Sequence, residues 1–394
     1  MAGIKVLDLS EGIAGPYCTR LFGSYGANVI KIEKPGEGDE SRRIGPFPAD
    51  VPHPEKSALF LNLNTSKKGI TLNLNSDTGR GILKRLIENA DILVESFEPG
   101  NMSEWQLGYD RLSDLNPKLV MMSITPFGQN GPYRDYKAAS CVLDALGGHT
   151  FIQGDPKRAP LRYPDGTAAF SAGLFAYVSA MGALLQSADT GIGQYVDISV
   201  LDCLPGLDAF RSAKWTHAGV IQQRTGGRYA GWPGKVYRCR DGYIGLCGVG
   251  PTGTMVPMYS VMQIPELLDE KYETHLGREA HEQELDAIIQ PWLLEHDRYE
   301  IFHALQAVRV QAGVCNSSED LLKDPGHRAR GFWVDIEHPK AGKLQYPGEP
   351  VRMSDTAWQT GPAPLLGEHN ELIYGNELGY TSGQIDALGK EGVL

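Results

Sequence analysis

The sequence predicts an α/β protein built on a doubly wound, mostly parallel sheet of the Rossmann-like type. Short apolar runs rich in β-branched residues alternate with amphipathic helical segments, as in repeated βαβ units. The chain has 394 residues, of which 41% are hydrophobic and 22% charged, the composition of an ordinary globular protein with two or three domains. In such a sheet, the ligand lies at the carboxyl ends of the strands.

The elements follow in order along the chain, with apolar runs predicting strands and helical spacing of apolar residues predicting helices. The predicted strands are 3–9, 27–33, 68–75, 91–97 and 118–127, and the helices between them cover 16–26, 76–90 and 107–117. Small apolar residues at 168–185 predict a buried helix, and a turn and a strand follow within 190–204. Because Ser171, Tyr177 and Ser179 interrupt that helix, we expect it in the core and not in a membrane.

A glycine-rich segment at 224–234 marks a change of pattern. After it, 235–250 predicts a hairpin that turns at Asp241–Gly242, 264–325 is helical and amphipathic, and strand and turn character returns from about 330. We therefore predict a large domain formed by 1–224 and 326–394, with a smaller inserted α+β domain at 225–325.

Charge and cysteine content exclude several classes of protein. Lys and Arg number 37 against 48 Asp and Glu, a net charge of −11, which argues against a nucleic-acid binder. The six cysteines lack metal-ligand spacing, so we expect no metal site and a reducing compartment. The first residues form a strand pattern and not a signal peptide. We predict a cytoplasmic protein without a membrane partner.

The residues taken alone do not identify the chemistry. There is no P-loop, no GxGxxG opening the first helix, no HExxH and no GxSxG. The lone His149 is more often structural than catalytic.

Six segments in order nevertheless resemble one family. They are GIKVLDLSEGIAGPY…VIKIEKPGEGDESRR at the start, LNTSKKGITLNL, DILVESFEPG, NPKLVMMSITPFGQNGPY, TGIGQYVDISVLD and the closing LGEHNELIYGNELGY. Together they resemble the class III CoA-transferases, named after carnitine and bile-acid CoA transferases and including formyl-CoA transferase. The resemblance covers nearly the whole chain. It implies a large domain whose sheet is made from both ends of the chain, and two subunits interlocked as a dimer.

The resemblance also implies coenzyme A and acyl-CoA as substrates, with no separate cofactor. Positions that match the family's nucleotide cleft and thioester channel are Gly12, Ile13, Ala14, Lys34, Leu63, Asn64, Thr65, Ser66, Lys67, Ser96, Phe97, Glu98 and Lys137. Gly226 and Gly227 match the mobile glycine loop that covers the reacting thioester. Glu104 departs from the family, where a cation is common. Tyr133, Tyr163, Tyr229 and Trp232 suggest an aromatic acid pocket, although such residues are more often core.

The family's chemistry depends on one aspartate that attacks the thioester. It lies four positions before the glycine of an Ala-Gly pair, here Ala172–Gly173, and that position holds Ala169. Three explanations remain open. The chain is the non-catalytic subunit of a heteromeric transferase, as in benzylsuccinate-type enzymes; or the aspartate was deliberately replaced; or Asp165, about 6 Å away if the stretch is helical, substitutes.

Two other functions fit the family resemblance less well or belong to a different class. The family's racemase branch uses His and Asp where this chain has Ala139 and Ser140, so no proton carrier is present for an isomerase. A catalytically silent subunit that binds CoA, or only stabilises its partner, is the alternative from a different class. The sequence thus favours a CoA-transferase subunit that moves CoA between an acyl-CoA such as succinyl-CoA and a carboxylic acid.

Overall fold

The computed structural model describes residues 1–228, 231–250 and 252–394. They form two compact units, the first from residues 1–149, 163–220 and 328–394, and the second from 150–162 and 221–327. We had placed 150–162 in the large domain. That segment contains only the 3-10 turn Thr150–Ile152, so its sequence carries no periodic signal of the unit to which it belongs.

The first unit is built on six strands that all run parallel. They are β1 (Lys5–Asp8), β2 (Asn28–Glu33), β3 (Lys68–Thr71), β4 (Ile92–Glu95), β5 (Val120–Thr125) and β6 (Tyr195–Ser199). Their order in the sheet is β3-β2-β1-β4-β5-β6, the doubly wound arrangement. The predicted fold class is therefore confirmed, and the strand order reverses between the neighbours β1 and β4.

Helices cover both faces of this sheet. They are α1 (Ala14–Ser24), α2 (Ala58–Leu63), α3 (Asp77–Ile87), α4 (Asn101–Glu104), α5 (Tyr109–Leu115), α6 (Ser140–Leu146), α7 (Thr167–Thr190), α8 (Val200–Leu207) and α9 (Ala209–Ala218). Successive strand residues face opposite sides, so Val6 packs with α1 and α7 while Leu7 packs with α3 and α5. This two-sided burial explains why the strands read as continuous apolar runs.

Helix α7 is buried on one face and exposed on the other, so the prediction of a buried core helix holds for one face only. Its alanines at 168, 172, 176 and 180 are fully buried against the sheet and α1. Leu174, Val178 and Leu185 on the other side are 47%, 67% and 70% exposed. Among the described residues, α7 is the one helix long and apolar enough to cross a membrane, a weak indication that core helices also give.

The second unit carries a three-stranded antiparallel sheet, β7 (Gly234–Cys239), β8 (Gly242–Cys247) and β9 (Gln311–Val314). Its helices are α10 (Val256–Met262), α11 (His275–Ala280), α12 (Glu282–Glu295), α13 (Arg298–Ala307) and α14 (Ser318–Lys323). The predicted β7–β8 hairpin is confirmed, but its turn lies at residues 240 and 241, one residue before the predicted Asp241–Gly242, because Cys239 pairs with Gly242. The prediction of helix throughout 264–325 was wrong at β9, whose four residues are held by pairing with β8 and not by a pattern of their own.

The closing segment contains α15 (Pro325–Ala329), β10 (Trp333–His338), β11 (Gly342–Pro347), a π-helical stretch (Glu371–Glu377) and α16 (Ser382–Lys390). Strands β10 and β11 form a separate antiparallel hairpin. The expectation that both chain ends build the main sheet was therefore wrong. The tail packs beside β3 instead: His369 N–H donates to Gly69 O over 2.8 Å, and Tyr374 Oη to Thr71 O over 2.6 Å.

Candidate functional site

The candidate site lies at the carboxyl ends of β1 and β4, where the strand order of the parallel sheet reverses. After β1 the chain turns through Gly12, which has a φ of +78°, and enters α1 at Ala14. Gly15 permits the tight approach at this turn, because a Cβ there would lie 2.1 Å from Ser10 Oγ. In the segment GIAG, Gly12 is therefore required for its positive φ, and Gly15 for the close approach to Ser10.

Side chains that follow β2 and β4, the two strands on either side of β1, hold this turn in place. The amide of Gly12 donates to Asp39 Oδ1 over 3.1 Å, and the amide of Glu11 donates to Ser96 Oγ over 2.9 Å. Asp39 is fully buried and pairs with Lys31 Nζ of β2 at 2.8 Å. The backbone of Glu11–Gly12 is thus fixed from both sides before any ligand arrives.

A buried charge cluster lies beneath the turn. The Lys67 ammonium contacts Asp8 Oδ2 at 2.9 Å, and it also donates to Pro16 O, Thr19 Oγ1 and Asn64 Oδ1. Burial by itself would raise the pKa of the Asp8 carboxyl, but the ammonium groups of Lys31 and Lys67 hold that pKa well below its usual range. The family resemblance implies that Lys34, Lys67 and Lys137 contact the adenine and the phosphates of CoA. The structure instead directs its protons to acceptors inside the protein, so Lys67 positions the start of α1.

The four residues that precede Lys67 in the sequence are also buried or half-buried. Leu63, Asn64 and Thr65 are buried, and Thr65 Oγ1 accepts a hydrogen bond from Arg20 Nε over 3.1 Å. Ser66, at a φ of +61°, is half-buried. These side chains shape the floor of the site rather than presenting polar groups to solvent.

The segment after β4 is held by a buried carboxyl. Glu95 Oε2 accepts the amide of Phe97 over 2.7 Å, and Phe97 packs edge-on against Trp105. Burial raises the pKa of Glu95 from 4.5 to about 7. The backbone of Ser96–Glu98 is thereby positioned next to a cavity of about 440 Å³. Residues lining that cavity include Glu95, Glu98, Tyr109, Ser123, Arg134 and Tyr195.

The two exposed lysines of the predicted phosphate site both have carboxylate neighbours. Lys34 pairs with Glu37 at 2.9 Å, and Lys137 pairs with Glu98. All four side chains are more than half exposed, and such surface pairs contribute only ~0–1 kcal/mol. Exchange of either carboxylate for a phosphate therefore costs little. Glu104, where the family often has a cation, is also exposed.

The start of α7 lies against the turn after β1. A Cβ on Gly166, the residue before α7, would be 3.5 Å from Ile13 Cδ1, and a Cβ on Gly173 would be 2.6 Å from Ala14 O. Ala169 lies in the first turn of α7 and is half-buried, while Asp165 precedes the helix and is exposed. Ala169 is three residues from Gly166 and four from Gly173, so helical spacing places it on the side of α7 that faces Ile13 and Ala14.

Gly226 and Gly227 belong to the second unit. Both have positive φ, 67° and 80°, and the Gly226 amide donates to Gly154 O over 3.1 Å. Of the predicted aromatic pocket, Tyr133 packs on Phe127 and Tyr163 on His149 in the first unit. Trp232 is buried in the second unit, and Tyr229 lies outside the described residues.

Sequence reasoning missed the residues that support the site. Asp8, Lys31, Asp39 and Glu95 are all buried ionisable groups, and none was selected. A signal was present, because a lysine inside the apolar strand VIKIE can be buried only if a carboxylate meets it. No group of His, Cys, Asp and Glu fit to hold a metal occurs in the part of the chain described.

Comparison with known proteins identifies the family. The family model of CoA-transferase family III matches residues 1–370, so the chain belongs to CoA-transferase family III. Succinyl-CoA–D-citramalate CoA-transferase of Chloroflexus aurantiacus is 32% identical over 397 residues, which cover 99% of this chain and 97% of that one.

Two further relatives bear on assembly and fold. The BbsE subunit of succinyl-CoA:(R)-benzylsuccinate CoA-transferase from Thauera aromatica is 31% identical over 402 residues, covering 99% of this chain and 97% of that one. A crystal structure of a CAIB/BAIF family protein from Brucella suis superposes with a TM-score of 0.86. It is 29% identical and covers 95% of this chain and 98% of that chain.

Proposed function

We propose that this chain is a subunit of a CoA-transferase that moves CoA from an acyl-CoA such as succinyl-CoA to a carboxylic acid. The observation that carries the proposal is the rigid turn Glu11–Ala14 at the sheet's reversal point, packed against the start of α7. Relatives with this family's sequence act, by their names, on citramalate, glutarate, malate, oxalate and benzylsuccinate. All of these acids are dicarboxylic, which makes a dicarboxylic acid the first acceptor to test.

The proposed reaction needs a carboxylate that this chain lacks at position 169. A carboxylate attacks the thioester carbon, the CoA thiolate leaves, and a mixed anhydride forms. The thiolate then attacks the enzyme's acyl carbon, which releases the first acid and leaves an enzyme–CoA thioester for the acceptor acid to repeat the steps. The methyl group of Ala169 performs none of this. The first turn of a helix stabilises a carboxylate through its free amides, so the position suits the missing group.

We propose that a homologous subunit bearing aspartate at this position supplies the carboxylate, the two chains being interlocked. The names of two relatives, a beta subunit acting on malate and the BbsE subunit, describe subunits of transferases. The exposed apolar side of α7 supports a covering partner, because monomers rarely leave such a surface in water.

The experiment measures CoA transfer from succinyl-CoA to a panel of dicarboxylic acids. We expect no turnover by the purified chain alone and turnover once it is co-expressed with an aspartate-bearing homologue. Turnover by the chain alone that is abolished in Asp165→Asn would instead assign the nucleophile to Asp165. CoA binding without turnover in either sample would leave only the silent-subunit function.

A further inference from the structure

One carboxylate of the second unit, Asp286 on α12, gathers four donors. Its Oδ1 accepts from Trp232 Nε1 over 3.0 Å and from Tyr237 Oη over 2.7 Å. Its Oδ2 pairs with Arg228 Nη2 at 3.0 Å and with Lys235 Nζ. The donors come from β7 and from the segment that precedes it, so Asp286 binds that segment to α12.

Arg228 is the donor that directly follows the glycine loop, defined here as residues 225–227. Its guanidinium is shared between Asp286 and Glu282, with 2.6 Å between Arg228 Nη1 and Glu282 Oε2. Arg228 and Lys235 thus face two carboxylates of α12, and the cluster is neutral. The downstream end of the loop is therefore attached to α12 through ion pairs whose charges cancel.

The upstream end of the loop is attached in a different way. Arg224 donates to two backbone carbonyls, Phe151 O over 3.0 Å and Asp155 O over 3.2 Å. Between the two arginines, Gly226 and Gly227 adopt left-handed backbone conformations that other residues rarely adopt. The two glycines, which have the greatest backbone freedom, thus lie between Arg224 and Arg228, and the side chains of both arginines are held by hydrogen bonds or ion pairs.

The Asp286 side chain is largely buried, with 15% of its surface exposed. Burial by itself would raise the pKa of Asp286, but hydrogen bonds from Lys235, Tyr237 and Trp232 lower it, so the carboxylate stays charged at neutral pH. Neutralising it leaves Arg228 and Lys235 in a partly buried place with one carboxylate between them, which weakens the attachment.

We propose that Asp286 is a positioning residue that sets where the glycine loop closes, acting through Arg228. This inference rests on the proposed function and on the family resemblance, which implies that the glycine loop covers the reacting thioester. A loop freed at its downstream end admits water to the acyl-enzyme intermediate. The water oxygen then attacks the acyl carbon of the mixed anhydride, the bond to the enzyme carboxylate breaks, and the water proton passes to the waiting CoA thiolate. The products are the free acid and CoA instead of a new acyl-CoA.

Hydrogen exchange tests the positioning role without any need for turnover. In Asp286→Asn and Arg228→Met, amides of a peptide covering residues 224–228 should exchange at least fivefold faster than in the parent. Arg228→Lys, which keeps the charge, should restore part of the protection. Glu284→Gln is the matched control, because Glu284 lies on the same helix but pairs with Lys271 at 2.8 Å. Loop exchange at the parental rate in Arg228→Met overturns the inference.

The second measurement uses the assembly that turns over. The ratio of acyl-CoA hydrolysis to CoA transfer should rise several-fold in Arg228→Met, with little change in KM for acyl-CoA, and stay at the parental value in Glu284→Gln. A lowered melting temperature with an unchanged ratio would show that the cluster is merely structural.

If the parent neither transfers nor hydrolyses, the proposed function fails, whereas the exchange rates still decide whether Asp286 positions the loop. Arg228→Met keeps Asp286 and its other three donors, so it remains informative if Asp286→Asn does not fold.

Discussion

At the residue scale, we propose that position 169 determines whether this chain performs the reaction alone. It lies in the first turn of α7, next to the turn through Ile13 and Ala14 that we place at the thioester. The rest of the site is preorganised by Asp39 and Ser96, which hold the amides of Gly12 and Glu11. Under the proposed function, a single carboxylate is therefore the chemical group that this chain lacks.

We expect Ala169→Asp to give measurable CoA transfer by the chain expressed alone, where the parent gives none. The new carboxylate stands where the family's nucleophile is expected and where helix amides stabilise its charge. Ala169→Asn, which matches the size but has no nucleophilic carboxylate, is the control and should stay inactive. Equal activity of both variants would show that position 169 does not carry the nucleophile.

Glu95 should make stability depend on pH. The folded protein raises the pKa of this carboxyl from 4.5 to about 7, so it binds the proton more tightly than the unfolded chain does. Stability from this group is therefore lost as the pH rises from about 4.5 to about 7. Glu95→Gln should gain about 2–3 kcal/mol relative to the parent between pH 5 and pH 8. Denaturant midpoints at the two pH values measure this, and Glu98→Gln, an exposed control, should show no such gain.

Lys137 should contribute to CoA affinity through a phosphate. Its exposed ammonium can leave Glu98 at small cost and form a charge-assisted hydrogen bond to the ligand. We expect Lys137→Ala to weaken CoA binding at least ~10-fold in calorimetry, or ~1.4 kcal/mol. Lys118→Ala, at the opposite end of β5, should bind as the parent does. Unchanged affinity in Lys137→Ala would place the phosphates elsewhere.

At the element scale, α7 has two different faces with two different roles. Its alanine face allows close packing on α1 and the sheet, and Gly173 lets the helix approach Ala14. The leucine and valine side chains on the other face remain exposed in the single chain. This second face is where we expect a partner chain to pack.

Val178→Asp should therefore shift the protein toward monomer without unfolding it. Val178 is 67% exposed, so a charge there is harmless in the isolated chain but is desolvated when a partner covers it. Sedimentation velocity should show a smaller species for Val178→Asp, while Gln186→Glu, which adds the same charge at another exposed position of α7, should sediment as the parent does. An unchanged species in Val178→Asp would exclude this face from the interface.

At the scale of the whole molecule, we expect a complex of two different chains in the cell. We propose that each site of an interlocked assembly draws on both chains, so that a subunit without the nucleophile still completes its partner's site. Native mass spectrometry after co-expression with an aspartate-bearing homologue should show a heteromer as the main species. Exclusive homodimers beside the unpaired homologue would contradict the heteromer and favour a replaced aspartate.

The sequence by itself determined the fold class, the order of the strands in the first half of the chain, and the family. Apolar runs and helical periodicity are local signals, and the parallel sheet follows from their alternation; the confirmed β1–β6 sheet shows that this reasoning is sound. The family resemblance, and not a local pattern, pointed to Gly12, Ile13 and Ala14 in the turn GIAGPY, and the structure places that turn between β1 and α1.

Only the tertiary structure decided which charged residues face solvent and which lie inside. Lys67 is far from Asp8 and Pro16 in sequence, and its direction depends on where three separate segments meet. The same holds for Asp286, whose donors lie about 50 residues away along the chain, and for β9, held by pairing with β8. A buried charge is stabilised by partners from distant segments, and no local pattern records those partners.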